Sequence, residues 1–410
     1  MRIEFKPLCA ALLAIGFASG AAHGQTSLPS FKLSGFGTIA ATHSSERDAD
    51  FITHISQPNG AGHTSATSFN PDSKVGIQGD VQFTDKLSGV VQLVSQHNWD
   101  NGFTPQLEWA NVKYQATPDL ALRLGRIAMP FFMYSDTRLV GYAQPWVRPP
   151  IEVYMVQPNT KSDGADVMYR AQTGSVTHNL QAFYGVNEVK TPDGGSAKGN
   201  PNWGFNDTAQ MGDLTLRGAF TYSRVSIPAL QGFSDALGAF SGIPGPVGSE
   251  SARLASTYHA NDMDFRTVAV GASYDPGKWF LTGEYLDFRG ESFAQGTQAW
   301  YVSGGYRFGK FTPYATYSGS KNHTKQEAGI PFPPAQPLND ALNGIINNPN
   351  KQNTISAGVR WDFMRNMDLK LQYDHIKLGS GSTGRFTNVQ PGFQAGGDAN
   401  IVTLSLDFVF

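Results

Sequence analysis

Beyond its first two dozen residues the chain alternates apolar and polar positions with a period of two, the signature of strands exposed differently on their two faces. The last segment, NIVTLSLDFVF, sets Val402, Leu404, Leu406, Phe408 and Phe410 on one side and Thr403, Ser405 and Asp407 on the other. TISAGVRWDF repeats the arrangement, with Ile355, Ala357, Val359, Trp361 and Phe363 opposite Thr354, Ser356, Arg360 and Asp362. DLKLQYD, LTLRGAFTYS, LALRLG and KVGIQGDVQF behave likewise. One face is apolar along nearly the whole strand, and the other carries charges that a packed soluble core does not accept without partners.

The pattern predicts strands near 31–43, 73–84, 87–98, 106–116, 119–128, 162–172, 176–187, 203–211, 214–226, 263–274, 279–290, 297–308, 311–320, 352–363, 367–379 and 399–410. That is about sixteen strands, each near the roughly 9–11 residues that cross a bilayer when tilted. Connections alternate. FTDK, ATPD, TGS, MGD, DPGK, FGK and MRNM are tight turns rich in Asp, Gly, Asn or Pro. Their counterparts at 44–72, 129–161, 227–262, 321–351 and 380–398 are long and polar, with shorter loops near 99–105, 188–202 and 291–296. Short turns at one end and long loops at the other describe an outer-membrane barrel. The fold class expected is therefore all-β: a transmembrane antiparallel β-barrel of about sixteen strands. Tyr114, Phe220, Tyr222, Trp279, Tyr306, Trp361, Phe363 and Phe410 fall near strand ends on the apolar face, where interfacial rings belong. A secreted β-sandwich or β-helix also alternates, but its inner face does not collect charges on strand after strand.

Composition adds limits. The 31 basic and 33 acidic residues nearly cancel, which gives no reason to expect a nucleic-acid partner. Arg2 and Lys6, the apolar run LCAALLAIGFASGAA and the small residues of Ala22-His23-Gly24 predict a signal peptide over residues 1–24, cut before Gln25. Cleavage removes Cys9, the only cysteine, so residues 25–410 are expected to fold without disulfides or thiolate metal sites. No cofactor or metal is expected.

Several stretches give the chain its resemblance. FKLSGFGTIAA, SKVGIQGDVQFTDKLSGVVQLVSQ, ALRLGR and the terminal phenylalanine on an alternating strand are similar to the first strand, the second hairpin, the strand entering the third external loop and the closing strand of Gram-negative general porins. The resemblance runs over the whole chain after the signal. It implies a homotrimer of sixteen-stranded barrels in the outer membrane, each with its own water-filled channel for passive diffusion of small hydrophilic solutes and ions. It further implies a third external loop folded into the barrel as a constriction, a basic cluster on the facing wall, and Phe410 as an assembly signal. Lys74 matches the family's basic position in the second strand. The third loop departs from enteric members in lacking Pro-Glu-Phe-Gly-Gly text.

Residues 129–161 form that third loop. Pro130, Pro145, Pro149 and Pro150 restrict it, which lowers the entropy lost on ordering. Phe131, Phe132, Tyr142, Trp146 and Tyr154 are expected to anchor it, leaving Asp136, Arg138, Arg148 and Glu152 to face water. Counting by twos places Lys32, Lys74, Arg123 and Arg170 on the lumen wall, with Arg217, Arg307 and Arg360 farther round and Asp80, Glu284, Asp362, Asp368 and Asp407 among them. Phe36, Phe183, Phe280, Phe288, Tyr301 and Tyr314 share the inward phase. Exposed rings there would make a channel preferring sugars or aromatic and organic acids; packed rings would leave a general sieve.

Two other functional classes make demands that the sequence can be compared with. An outer-membrane enzyme needs a converging nucleophile, base and orienting group. His54, His63, His97, His178, His259, His323 and His375 are scattered, and neither His-x-x-x-His nor Gly-x-Ser-x-Gly occurs. An adhesin or receptor would use loops 227–262 and 321–351, whose SGIPGPVG and GIPFPPAQP text suits ordinary surface loops.

Overall fold

The computed structural model describes residues 29–157 and 160–410; the expected signal peptide lies outside them. Sixteen long antiparallel strands form one sheet. They are β1 (Ser30–Ser44), β2 (Lys74–Gln82), β3 (Leu87–Gln96), β4 (Gln106–Gln115), β5 (Leu120–Ala128), β6 (Lys161–Thr173), β7 (Val176–Lys190) and β8 (Ser196–Met211). The second half comprises β9 (Leu214–Ser226), β10 (Met263–Tyr274), β11 (Trp279–Gly290), β12 (Thr297–Tyr306), β13 (Phe311–Asn322), β14 (Lys351–Met364), β15 (Met367–Leu378) and β16 (Asp398–Val409).

Closure happens at β1. Its first part pairs with β2, from Ser30 opposite Gln82 to Thr38 opposite Lys74. Its last part pairs with β16, from Phe36 opposite Val409 to Ser44 opposite Ile401. This offset is the stagger that a closed barrel of tilted strands requires, and it leaves no long edge unpaired.

The alternation of the sequence becomes an inversion of ordinary burial. On β16 Val402 and Leu404 are 41% and 48% exposed, while Thr403, Ser405 and Asp407 are 0% exposed. Leu124 on β5 is 70% exposed and Tyr184 on β7 63%. An apolar outer face with polar groups inside suits a wall bathed by lipid. Tyr114, Trp279, Tyr306, Trp361 and Phe410 are exposed on it, and Trp203 packs on Phe220 and Tyr222.

Short turns close one end. Gly212 and Gly309 reach φ of 56° and 59°, a region where side chains beyond glycine are strained. The opposite end carries the long loops, and two of these depart from the polar loops expected. Residues 227–262 hold helices α2 (Gln231–Gly238) and α3 (Pro246–Thr257); residues 323–350 hold α4 (Gln336–Ile346). Leu237, Leu254, Tyr258, Phe293, Ile330, Leu342 and Ile346 bury one another in a shared apolar core above the barrel rim. Arg253 ties the two loops through Glu327, at 2.5 Å.

A second difference concerns β7 and β8. The expected loop over 188–202 shrinks to a turn, because pairing resumes from Asn187 opposite Gly199 to Lys190 opposite Ser196. A register shift at Gly185/Asn187 absorbs Pro201, which cannot donate to the ladder. First and last external loops also join. Asp50 bridges to Thr387, and Phe51, Ile52, Ile376, Leu378 and Ile401 pack around Ile151 and Met155 of the third loop.

Candidate functional site

The third external loop leaves β5 at Pro130, whose carbonyl accepts from Arg217 Nη2 at 2.7 Å. The Met133 amide donates to Glu284 Oε2 at 2.8 Å, and Tyr134 Oη to Thr282 Oγ1 at 3.2 Å. The chain then runs through residues 135–140 toward β14–β16. There Lys370 Nζ donates to the Gly141 carbonyl at 2.7 Å, and Arg360 Nη1 to the Tyr142 carbonyl at 2.6 Å. A Cβ on Gly141 would overlap the Asp407 carboxylate, so glycine is what lets the backbone come this close.

Next comes the proline-stiffened stretch GYAQPWVRPPIEVY. Trp146 is 1% exposed and donates Nε1–H to Ser303 Oγ at 2.8 Å. Arg148 Nε and Nη2 reach Asp72 Oδ1 and Oδ2 at 2.8 and 2.7 Å, and Nη1 reaches Asp374 Oδ2 at 2.8 Å. After Pro149 and Pro150 one helical turn, α1 (Ile151–Tyr154), aims Glu152 at the wall. Its carboxylate accepts from Ser318 Oγ at 2.8 Å, Gln352 Nε2 at 2.6 Å and Thr354 Oγ1 at 2.5 Å. Tyr154 and Tyr301 both donate to Glu284 Oε1, at 2.7 and 2.8 Å. Fully bonded in this way, buried charge is tolerable; losing one partner would strand the rest.

Two expectations are thereby corrected. Arg148 and Glu152 do not face water: they are 6% and 1% exposed and act as staples. Two charges in a proline-rich, aromatic stretch suggest solvated tips, but the geometry aims both at carboxylates, hydroxyls and an amide of the wall and of the first loop. The rings are packed as well. Phe131, Phe132, Trp146 and Tyr154 are buried with Phe183, Phe280, Tyr301 and Tyr314 in one apolar cluster, with Phe288 against it. Among the described residues these rings turn toward one another rather than forming a run of open faces. Tyr142 instead carries Arg360 over its ring at 4.8 Å.

The other candidates separate into groups. Lys74 Nζ donates to the Asp72 carbonyl at 3.3 Å, beside the staple. Arg360 is held by Asp362 and Asp368 at 2.7 and 3.1 Å, and Lys370 by Asp407 at 2.9 Å. Arg307 is not a wall charge of the lumen's middle; it pairs with Asp275 at 2.7 Å in the short turns. Arg170 is exposed near the same end, its amide bonded to the Asp119 carbonyl. Arg123 is paired with Asp166 at 2.5 Å. Lys32, Asp80, Lys113, Arg123 and Asp136 line one cavity of about 580 Å³.

That cavity is lined by residues of β1–β5 together with Asp136 of the third loop. Toward the long loops a second cavity of about 600 Å³ is lined by residues including Trp99, Glu108, Arg126, Thr160 and Lys198. Between them a cleft of about 10 Å³ shares Glu108 and Thr160 with the upper cavity, and Trp109, Ala128 and Asp136 with the lower. Its volume is near that of a single water-sized probe, roughly 10–15 Å³. Arg138 and Leu139 of the third loop complete its lining.

Sequence reasoning missed Asp72, Asp374, Lys370 and Glu108. Lys370 and Asp374 were visible in DLKLQYD as charges on the polar phase. Asp72 lies in a loop, and Glu108 sits at a register shift between Gln92 and Leu93 of the partner strand, where counting by twos fails.

Comparison with known proteins agrees with this architecture. A family model described as Gram-negative porin matches residues 10–381. No curated protein matches the chain. Among solved structures, the outer membrane channel DcaP of Acinetobacter baumannii aligns at a TM-score of 0.56 and 12% identity, covering 95% of this chain and 100% of that one. The anion-selective porin of Comamonas acidovorans aligns at 0.55 and 14%, covering 93% and 100%. Salmonella typhi OmpF, in complex with daunomycin, aligns at 0.52 and 15%, covering 93% and 97%. At these identities the structures speak to the fold alone. The family match spans most of the chain, the barrel is closed, and its inner wall is polar: the chain belongs to the Gram-negative porin family and forms an outer-membrane channel for passive diffusion.

Proposed function

We propose that the third loop narrows this channel from one side, and that small hydrophilic solutes and ions pass along the β1–β8 wall. The observation that carries the reading is the double attachment of the loop. Its aromatic side is buried against β11–β13, and Arg148 and Glu152 bond to side chains around β13–β16. On the other side lie two cavities, with the Glu108–Arg138 cleft between them. A narrow aqueous path between charged walls sorts solutes by size and charge. Solute movement needs no chemistry, and we read the protein as a non-catalytic channel. Three copies are proposed to assemble in the membrane, as the family resemblance implies.

The test is conductance in a planar bilayer. Purified protein is expected to open in discrete steps and to close in threes, and breaking the staple with Asp72→Asn is expected to enlarge the steps. Absence of any conductance at high protein load would sink the channel reading. Steps that Asp72→Asn leaves unchanged would sink the role given to the loop.

A further inference from the structure

The lipid-facing wall of β6–β10 carries a carboxylate well away from the long loops. Its outward phase is apolar over most of its height, with Tyr169, Leu180, Phe205, Leu216 and Val270 exposed. The ionisable residues of that phase, among them Asp163, Glu188, Arg224 and Arg266, stand toward the long-loop ends of their strands. Asp207 of β8 and His178 of β7 do not. Asp207 shares the phase of Phe205, lies four residues before the strand ends at Met211, and has a side chain 36% exposed. At roughly 3.3 Å per residue along a strand tilted about 40°, it stands roughly 10 Å above the short-turn end, which faces the periplasm in barrels of this class.

The carboxylate borders a groove. One row of paired positions runs Tyr169, Leu180, Asp207, Gly218 and Val270 across the five strands. Gly218 leaves a gap in that row, since a Cβ there would meet nothing within 4 Å. Phe205, Phe220 and Val268 complete the rim of an apolar opening of about 530 Å³. His178 Nδ1 meets Asp207 Oδ2 at 2.8 Å. An ionised carboxylate only accepts, so the imidazole donates from Nδ1, and as a neutral ring it leaves the negative charge in place. Oδ1 has no hydrogen-bond partner among the described residues. An ionisable group facing lipid is expensive and marks a site whose partner is to be named. The Cβ–Cγ torsion of an aspartate is soft, so an oxygen can turn outward to meet a donor.

We propose that this groove binds a phospholipid of the periplasmic leaflet with a primary ammonium headgroup, such as phosphatidylethanolamine. One acyl chain lies over Gly218, and the ammonium donates to Asp207. Charge complementarity selects the headgroup: an ammonium brings both a positive charge and N–H donors, the combination that makes a strong hydrogen bond to a carboxylate. Phosphatidylglycerol brings hydroxyls with a net negative charge, and phosphatidylcholine brings the cation without an N–H. A second copy docking by the same face would set Asp207 against Asp207. The site lies outside the barrel and is independent of the third loop.

The experiment is native mass spectrometry of the detergent-purified protein exposed to equimolar phosphatidylethanolamine, phosphatidylglycerol and phosphatidylcholine with the same acyl chains. Wild type is expected to retain phosphatidylethanolamine ahead of both others. Asp207→Asn is expected to lower that retention at least about fivefold, through loss of a charge-assisted hydrogen bond, and to bring it level with phosphatidylcholine. Gly218→Leu fills the groove and is expected to lower retention of phosphatidylethanolamine as well. Both variants are expected to conduct like wild type in a planar bilayer, which keeps this site separate from the solute path. Equal retention of the three lipids by wild type overturns the proposal, as does phosphatidylethanolamine retention that Asp207→Asn leaves unchanged. Gly218→Leu that dissociates an oligomer while retention stays intact assigns the groove to a second copy and overturns it too. Should Gly218→Leu fail to fold, Asp207→Asn decides alone.

Discussion

Arg148 and Asp72 stand 76 residues apart in the chain and meet through two parallel hydrogen bonds of 2.8 and 2.7 Å, with neither side chain more than 6% exposed. The pair joins the third external loop to the foot of the first, directly before β2 begins at Lys74. Asp374 adds a bond from β15, so three separate regions of the chain converge on one guanidinium.

Removing that guanidinium leaves Asp72 and Asp374 buried without their cation. Arg148→Ala is therefore expected to destabilise the protein by about 3–5 kcal/mol, the range for breaking one side of a buried ion pair. Guanidinium unfolding of the detergent-solubilised protein measures the loss. A midpoint equal to wild type would show that the staple contributes nothing.

The same pair sets a pH limit. Burial by itself would raise the Asp72 carboxyl, but the charge and hydrogen bonds of Arg148, the charge of Lys74 and the Thr42 hydroxyl outweigh it and hold the group below its ordinary value. A carboxylate depressed in the folded state stabilises the fold fully above its unfolded value, about 3.9, and loses that contribution as pH falls through the folded value. The staple is expected to hold from neutral pH down to about 4 and to loosen below it. Comparing melting midpoints of wild type and Asp72→Asn across pH checks this: the gap between them is expected to be widest near neutrality and to shrink below pH 4. A gap that does not vary with pH would remove Asp72 from the account.

Glycines offer a matched pair of substitutions. Gly141→Ala puts a methyl group into Asp407, next to the carbonyl that Lys370 holds. Overpacking of this kind costs about 1–3 kcal/mol, and the loop is expected to move off the wall with a change in single-channel conductance. Gly218→Ala, on β9, meets open space and is expected to change stability by less than about 0.5 kcal/mol with conductance as in wild type. Equal effects from both would argue against a specific fit at Gly141.

Leu254, on α3, is 0% exposed within the apolar core of the helical loops. Leu254→Ala is expected to weaken that core by about 2–5 kcal/mol without touching the barrel. Limited proteolysis would then cut residues 227–262 and 323–350 faster, while bilayer conductance stays as in wild type. A fall in barrel melting equal to the local loss would show that the two layers unfold together.

Much of the wall was legible because its rule is local. Successive side chains on a strand point to opposite sides, so Val402 and Thr403 declare lipid and lumen by position alone. Tight turns such as MGD and FGK carry the glycines that positive φ demands. The rule fails where the backbone gains a residue, at Glu108 and around Pro201, and there the sequence misplaces a side chain or ends a strand early. The helices over the rim were hidden for another reason. Leu230, Phe233 and Leu237 do recur at helical spacing, but each helix is short and buries its stripe only against neighbouring helices and loop residues that the local sequence does not announce. The role of Arg148 could not be read locally at all, since its partners come from residues 72 and 374.

The helical layer over the rim has a core of its own, fastened by Arg253 and Glu327 and separate from the cluster around Trp146. Changes on the face it shows to the surroundings can therefore accumulate without disturbing which solutes the interior admits.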